Sequence, residues 1–421
     1  MAGRGLSAER SLIDRAAIAD IERALELWRC VALGGPRLVG KTTLARSIAD
    51  RRGLGAEWLD LRRPIDRNRL GAQAEFFAEN AGKLMILDHF DVMPEAADII
   101  LEQLDLAAPR AGQSASFLLA GLETDLARNL VGVRLRGRAK QIDVAPLQVG
   151  EVCMPKGPAQ IESEDPLSGL VGETGAIAEP DEPIPLEQLW LRGGMPDSLL
   201  AETSEQSLAW RRNYLTSYYE VDLGGGGDAE QTRACLAWVA AEQGRLSNLQ
   251  NEPRPFKARL KLLERNGLIR VLRPWWRNAG NRLVKTPKYY VRDSGLLHAL
   301  RGRGSIDDVM ATDKLPGASW EGFCIEAMHV LAADRAEVLF YRNTNKDEVD
   351  VVIEFPDSKA WIVELKLNPE ANLRPGFHVA REDIKPERCF VVHSGEAEYT
   401  KAGDIAVLPL AKFLAILQER L

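Results

Sequence analysis

The sequence predicts an α/β protein in three folded units, and three observations carry that reading. Over the first third, short apolar runs alternate with helical segments around the glycine loop "GPRLVGKT". A mainly helical stretch follows and ends in a strongly basic helix–glycine–strand pattern, "FKARLKLLERNGLIRVL". Near the C-terminus, "EVDVVIEFPDSKAWIVELKL" reads as two alternating strands joined by a turn.

Composition narrows the class. The 421 residues allow two to four domains, at roughly 100–200 residues each. The apolar fraction of 45% and charged fraction of 27% are those of a globular chain. No apolar run reaches the roughly 18–20 residues of a membrane helix, and "MAGRGLSAERSLIDR" lacks a signal-peptide core. A cytoplasmic protein without a membrane partner is therefore expected. Five cysteines (Cys30, Cys153, Cys235, Cys324, Cys389) form no CxxC pair, and the histidines show no metal-ligand spacing. The net charge is −7, yet Pro253–Arg292 holds twelve Lys/Arg against one acid, Glu264. A stripe of that sign suggests a polyanion partner, or else a solvated face offsetting acidic neighbours.

The elements follow in order. Residues 1–27 read as helix, with Ile13, Ala17, Ile21 and Leu25 on one side. "CVALGG", "AEWLDL", "KLMILDHF" and "SFLLAGL" read as strands, and "KTTLARSIADRRG" and "PEAADIILEQLDL" as helices. Such alternation indicates a parallel sheet with covered faces, and the first domain is assigned to residues 1–150. Residues 151–186, rich in Pro, Gly and acids, read as a loop or insertion, and "GGGGD" as a hinge or helix end. Residues 187–294 form a helical, winged-helix-like unit, in which a helix stopped by Gly267 gives way to a strand. The last domain spans 295–421: helix, strand, hairpin, strand and a final helix.

"GPRLVGKT" matches G-x-x-x-x-G-K-[ST] in full, between a strand and a helix. Gly35, Pro36, Arg37, Leu38, Val39 and Gly40 would wrap backbone N–H groups around a phosphate, with Lys41 reaching its outer oxygens. Thr42 would ligate Mg²⁺, with Thr43 beside it. The expected cofactors are ATP and Mg²⁺. Asp88 ends an apolar strand and is the expected second Mg²⁺ group, held through water. The next residue is His89, where many such ATPases carry a water-orienting Glu; Asp91 could substitute only if the turn allows it, and Gly121 and Leu122 follow a strand after which a polar residue is usual. Arg138 in "GRAK" is the expected γ-phosphate contact, in cis or from a neighbouring subunit of a homo-oligomer; a surface basic face is the alternative.

On the hairpin, Trp361, Val363, Leu365 and Leu367 face one way and Glu364 and Lys366 the other. Asp350 and Glu354 share the polar face of the preceding strand, opposite Val349, Val351, Ile353 and Phe355. Folding about "PDSKA" brings Asp350 opposite residues 364–366. Asp350 and Glu364 are then candidate Mg²⁺ ligands, with Lys366 holding a water or developing charge; the alternative is a charged, wet hairpin face. Between the two sites, Arg270, Arg273, Arg277, Arg282, Lys285 and Lys288 interleave with Trp275, Trp276, Tyr289 and Tyr290. They fit phosphate contacts with base stacking, on branched or single-stranded DNA, or a buried aromatic seam between domains.

The chain resembles prokaryotic AAA-type ATPases with a C-terminal restriction-endonuclease-like domain of long-unassigned function. The matching pieces run nearly end to end: "GPRLVGKTTLAR", "GRAKQIDVAPLQVGE", "RGGMPDSL", "YLTSYYEVDL", "LKLLERNGLIRVLRPWWRN", "KTPKYYVRDSGLLHAL", "WEGFCIEAM" and "YRNTNKDEVDVVIE…WIVELKL". His89, Leu122, Val221 and a shortened "NLQNEPRPF" depart from it. The resemblance implies a PD-(D/E)XK nuclease-like core, in which Glu321 of "SWEGF" completes the catalytic set Asp350, Glu364 and Lys366. It implies a nucleotide-regulated DNA-processing protein or, alternatively, an ATP-binding switch whose nuclease-like domain recognises without cutting.

Overall fold

The computed structural model describes residues 13, 15–106, 116–154, 183–219, 227–247, 249, 252–276, 284–370, 372–401 and 403–421. Most of the acidic insertion, the "GGG" before Gly227, Val221, Arg277 and Arg282 lie outside the described residues.

The first domain is a parallel sheet of β1 (Cys30–Gly34), β2 (Ala56–Asp60), β3 (Leu84–Asp88), β4 (Ser116–Leu119) and β5 (Lys140–Asp143), in the order β2-β3-β4-β1-β5. Its helices are α1 (Ala17–Leu27), α2 (Lys41–Arg52), α3 (Pro64–Gly71), α4 (Gln73–Glu79), α5 (Ala96–Leu106), α6 (Thr124–Asn129) and α7 (Val149–Val152). Every residue of β1 and β3 is buried, as strands covered on both faces require. That is why both read as unbroken apolar runs. The order places β4 between the strand that leads into the glycine loop and the strand that ends in Asp88.

The middle contains α8 (Leu186–Arg192), α9 (Pro196–Leu199), α10 (Ser204–Ser217), α11 (Gly227–Ala241), α12 (Arg254–Arg265), β6 (Ile269–Leu272), β7 (Lys288–Val291), α13 (Ser294–Leu300) and α14 (Ile306–Met310). Gly267, at φ +74°, turns α12 into β6 as the sequence suggests. β6 and β7 form a two-stranded antiparallel pair. The last domain holds α15 (Leu315–Ala332), β8 (Glu337–Arg342), β9 (Glu348–Glu354), β10 (Ala360–Lys366), α16 (Pro375–Ile384), β11 (Arg388–His393), β12 (Tyr399–Lys401), β13 (Ile405–Pro409) and α17 (Leu410–Arg420). Its mixed sheet runs β12-β13-β11-β10-β9-β8. Trp361, Val363 and Leu365 of β10 pack with Trp320 of α15 and Phe413 of α17, while Ile362 packs with Phe377 of α16 on the other face.

Two details differ from the sequence expectation. β10 is an inner strand with both faces covered, so Glu364, at 2% exposure, is on no wet face. Val349 packs with Tyr341 and Val352 rather than with Val351, beside an irregularity between Leu339 and Tyr341 that breaks the alternation of the β8–β9 pair.

The first and middle regions meet at "RGG" and "RDSG". Gly194 O accepts from Leu147 N at 2.7 Å, and Gly194 N donates to Asp293 Oδ2 at 2.8 Å. Buried Arg211 donates to Leu191 O at 3.0 Å and to Gly295 O at 2.8 Å. A Cβ on Gly194 would lie 2.2 Å from Leu147 O, so only glycine lets these backbones touch. Gly194→Ala is expected to destabilise by about 1–3 kcal/mol through overpacking, read as a lower thermal midpoint; an unchanged midpoint contradicts the close-approach account.

Candidate functional site

The glycine loop follows β1 at the C-terminal edge of the parallel sheet, where ligands of open α/β sheets bind. Gly35 has φ +153° and Gly40 φ +102°, the second just before α2. Buried Lys41 donates to Gly35 O at 2.8 Å and Pro36 O at 2.7 Å. Burial pushes its ammonium down to about 8, against the pull of Glu123, Asp91 and Asp88. Thr42 Oγ1 donates to Asp88 Oδ1 at 3.0 Å, bringing together the two oxygens expected around Mg²⁺. Val39 is buried, whereas Arg37, Leu38 and Thr43 are exposed.

His89 sits in the left-handed region at φ 54°. Its Nδ1 is 3.1 Å from Asp88 Oδ2 and 3.4 Å from Asp60 Oδ1, close to both without a formed hydrogen bond. Leu122 is core, 1% exposed. A residue that sequence reasoning missed is Arg15, which precedes α1. It donates to Val39 O at 3.3 Å, to Ala145 O at 2.6 Å and to Glu151 Oε1 of α7 at 2.9 Å. It thereby clamps the loop backbone from outside the motif. Nothing in the local pattern around Arg15 signals this, since its partners lie 24 to 136 residues away.

Arg138 is not placed for a γ-phosphate in its own subunit. It pairs with Asp105 at the end of α5; burial, and after it the charge of Arg138, lowers Arg29, just before β1. Because β1 and β5 run parallel, with Val31 opposite Lys140 and Gly34 opposite Asp143, Arg138 lies at the N-terminal edge of the sheet. The loop is at the other edge, about a strand length away at roughly 3.3 Å per residue.

The second site lies where β9 and β10 part. Their ladder runs to Val363↔Val351, so Asp350 and Glu364 are the next residues on the two strands. Asp350 Oδ2 accepts the Leu365 N–H at 2.8 Å, and Lys366 Nζ donates to Glu364 Oε1 at 2.7 Å. Glu364 Oε2 is buried with no hydrogen-bond partner among the described residues. Burial, then the charges of Glu364 and Glu321, push the Asp350 carboxyl well above the usual range; Lys288 and Lys366 oppose them. The expected hairpin register is therefore present.

Glu321 of α15 does not join these two as a ligand. Its Oε1 accepts from Lys288 Nζ at 3.0 Å and from Tyr290 OH at 2.5 Å. Among the described residues no group of three or more His, Cys, Asp or Glu is arranged to hold a metal. Two acidic oxygen donors and an unsatisfied buried oxygen nevertheless suit a hard divalent cation, which can be held by one or two carboxylates with the remaining ligands from water and substrate. Asp350 and Glu364 would hold it.

The basic belt divides in two. Lys288 is 2% exposed and pairs with both Glu321 and Glu348, the latter at 2.6 Å, so it cannot be a surface phosphate contact. Arg270 bonds both oxygens of Glu326 at 3.0 Å, and Arg292 reaches the same carboxylate. Trp275, Tyr289 and Tyr290 are buried, as in the seam alternative. Arg273 and Lys285 remain exposed, with Lys285 Nζ 4.5 Å from the ring centre of Trp276, itself 50% exposed.

Residues 28–153 match the AAA domain family. The first domain is thus an AAA-type P-loop domain, and the match supports nucleotide binding there. Residues 185–307 and 316–413 match two domains of unknown function, DUF8612 and DUF4143, neither of which names an activity. The uncharacterized protein Rv2008c of Mycobacterium tuberculosis is 29% identical over 413 residues, covering 95% of this chain and 84% of that protein. Mb2031c of Mycobacterium bovis, also uncharacterized, matches with the same figures. Among solved structures, a Walker-type ATPase of Pyrococcus abyssi is 14% identical, covering 69% of this chain and 96% of that one, with a TM-score of 0.40. The ORC2 protein of Aeropyrum pernix is 13% identical, covering 72% and 97%, with a TM-score of 0.32. Both are loose likenesses. No described helix is long and apolar enough to cross a membrane.

Two outcomes check this electrostatic picture. Burial raises Glu326, but Arg270 and Arg292 outweigh it and hold the carboxyl near 2, below its ordinary 4.5. A depressed carboxylate stabilises above its unfolded pKa and loses that contribution as pH falls through the folded one. An acid titration of the melting temperature should therefore show stability draining between pH 4.5 and 2, on the order of 3 kcal/mol. Glu326→Gln should flatten that window. Lys288→Ala removes the buried cation shared by the half-buried Glu321 and Glu348 and should cost about 1–3 kcal/mol; a loss below 1 kcal/mol, the worth of a surface pair, would show that the cluster is not buried in solution.

Proposed function

We propose that this is an ATP-binding protein whose P-loop domain regulates a Mg²⁺-dependent phosphodiester site on the C-terminal hairpin, acting on DNA. The observation that carries the second site is the meeting of Asp350, Glu364 and Lys366 beside the unsatisfied Glu364 oxygen. A bound Mg²⁺ would polarise a phosphodiester and acidify a water. Asp350 and Glu364 would present the anionic oxygens. Lys366, fixed by Glu364, would stabilise charge on the departing or attacking oxygen. The α15 helix and the inner position of β10 keep bulk water from Glu364, which strengthens each of these interactions.

DNA would enter along the exposed edge of Arg273, Lys285 and Trp276, where cations meet phosphates and a ring can stack on an unpaired base. The support for nucleotide regulation is β7. Tyr289 and Val291 pack in one cluster with Ile18, Leu44 and Ile48 of the P-loop domain. On the strand's other face, Lys288 and Tyr290 hold Glu321 beside the carboxylates.

A second reading keeps the nucleotide switch and drops cleavage. It is favoured by Lys288, which already neutralises Glu321 and Glu348, and by His89 in place of an acid. Incubation with single-stranded, double-stranded and branched DNA, Mg²⁺ and ATP separates the two. Cleavage lost in both Asp350→Ala and Lys366→Ala, with the fold retained, is the expected result. Cleavage that persists in either variant removes the catalytic assignment, and DNA binding without cleavage by the wild type favours the switch.

A further inference from the structure

His89 leaves the P-loop site without the acid that usually follows the Mg²⁺-binding Asp. The chain leaving β4 supplies a carboxylate from another direction. β4 lies between β3, which ends in Asp88, and β1, which leads into the glycine loop. Its exit is anchored on both sides. Phe90 N donates to Ala120 O at 3.0 Å, and a Cβ on Gly121 would sit 2.5 Å from His89 Cα, so this turn lies directly against the one after Asp88. Across from it, the Ala127 side chain of α6 lies 3.1 Å from a Cβ built on Gly34, the last residue of β1.

Glu123 lies between those anchors. It is the N-cap residue of α6, and Ala127 N donates to its carbonyl at 2.8 Å. Its half-buried side chain does not cap its own helix. It stands on the chain leaving β4, between the strand that ends in Asp88 and the strand that leads into the glycine loop. The rival, Asp91, is exposed on the short turn Phe90–Val92.

We propose that Glu123, at the β4–α6 junction between Asp88 and the glycine loop, is the carboxylate that orients and deprotonates the attacking water in ATP hydrolysis. The proposal rests on the nucleotide-binding reading above and extends it to turnover. The water oxygen bonds to the γ-phosphorus as the bond to the β–γ bridging oxygen breaks. That bond's electron pair leaves on ADP. The water proton passes to the Glu123 carboxylate and from there to the released phosphate or solvent. Lys41 and the loop N–H groups balance the charge that gathers on the phosphates.

The test is Mg²⁺–ATP turnover beside direct binding of a fluorescent ATP analogue, in wild type, Lys41→Ala, Asp91→Asn and Glu123→Gln. Glu123→Gln should bind the analogue like wild type and lose turnover by about 10²–10⁴-fold. Asp91→Asn should keep most of its turnover, and Lys41→Ala should lose binding. The assignment is overturned if Glu123→Gln turns over like wild type, or if Asp91→Asn is the variant that stops. Wild-type turnover no higher than that of Lys41→Ala, with the analogue still bound, also removes the role of Glu123 while leaving nucleotide binding intact. Absence of binding in the wild type removes both.

Discussion

The ammonium of Lys288 is the constraint on which the arrangement of the two sites depends. A lysine at 2% exposure survives only where carboxylates replace the water it has lost, and here Glu321 and Glu348 do so. Lys288 belongs to β7 of the middle region, Glu321 to α15 and Glu348 to β9 of the last domain. The ion cluster therefore fixes one strand against the wall of the carboxylate site. The Arg270–Glu326–Arg292 group repeats the device one step along the same interface. Separating these regions would strip Lys288 and Glu326 of their charge partners, so they cannot part cheaply.

The same strand faces two ways. Its alternate side chains belong to different cores: Tyr289 and Val291 to the one shared with α1 and α2, Tyr290 to the one under the last sheet. α2 carries Lys41 and Thr42, and α15 carries Glu321. Under the proposed coupling, the route from the P-loop domain to the carboxylates would run through this four-residue strand and the helices packed on it. Coupling through such a route needs no long wire, only two packings of β7 that the nucleotide favours differently.

The fold was largely legible because its signals are local. A full P-loop pattern between strand and helix places the first site, and strand parity places Asp350 beside Glu364 once the turn is recognised. What escaped is tertiary. Within a stretch of net +11, Lys288 looks like any other belt cation; its partners Glu321 and Glu348 come from elements not yet formed at that point of the chain. Glu364 and Lys366 looked wet because alternation does not reveal whether a strand is inner or edge. The position of Arg138 could have been found: in a parallel sheet, a residue just before a strand lies at the edge opposite a loop that follows its neighbour. Arg15 and Glu123 carry no motif, and only the folded chain brings them to the phosphate loop.

Amide hydrogen exchange with and without Mg²⁺–ATP tests the central claim most directly, that the nucleotide site and the carboxylate site share one mechanical element. The account requires that nucleotide alter exchange not only in the glycine loop and α2 but also in β7, α15 and the β9–β10 hairpin, and that Lys41→Ala abolish all of these changes together. Changes confined to the first domain, with β7 and the hairpin exchanging as before, would contradict it.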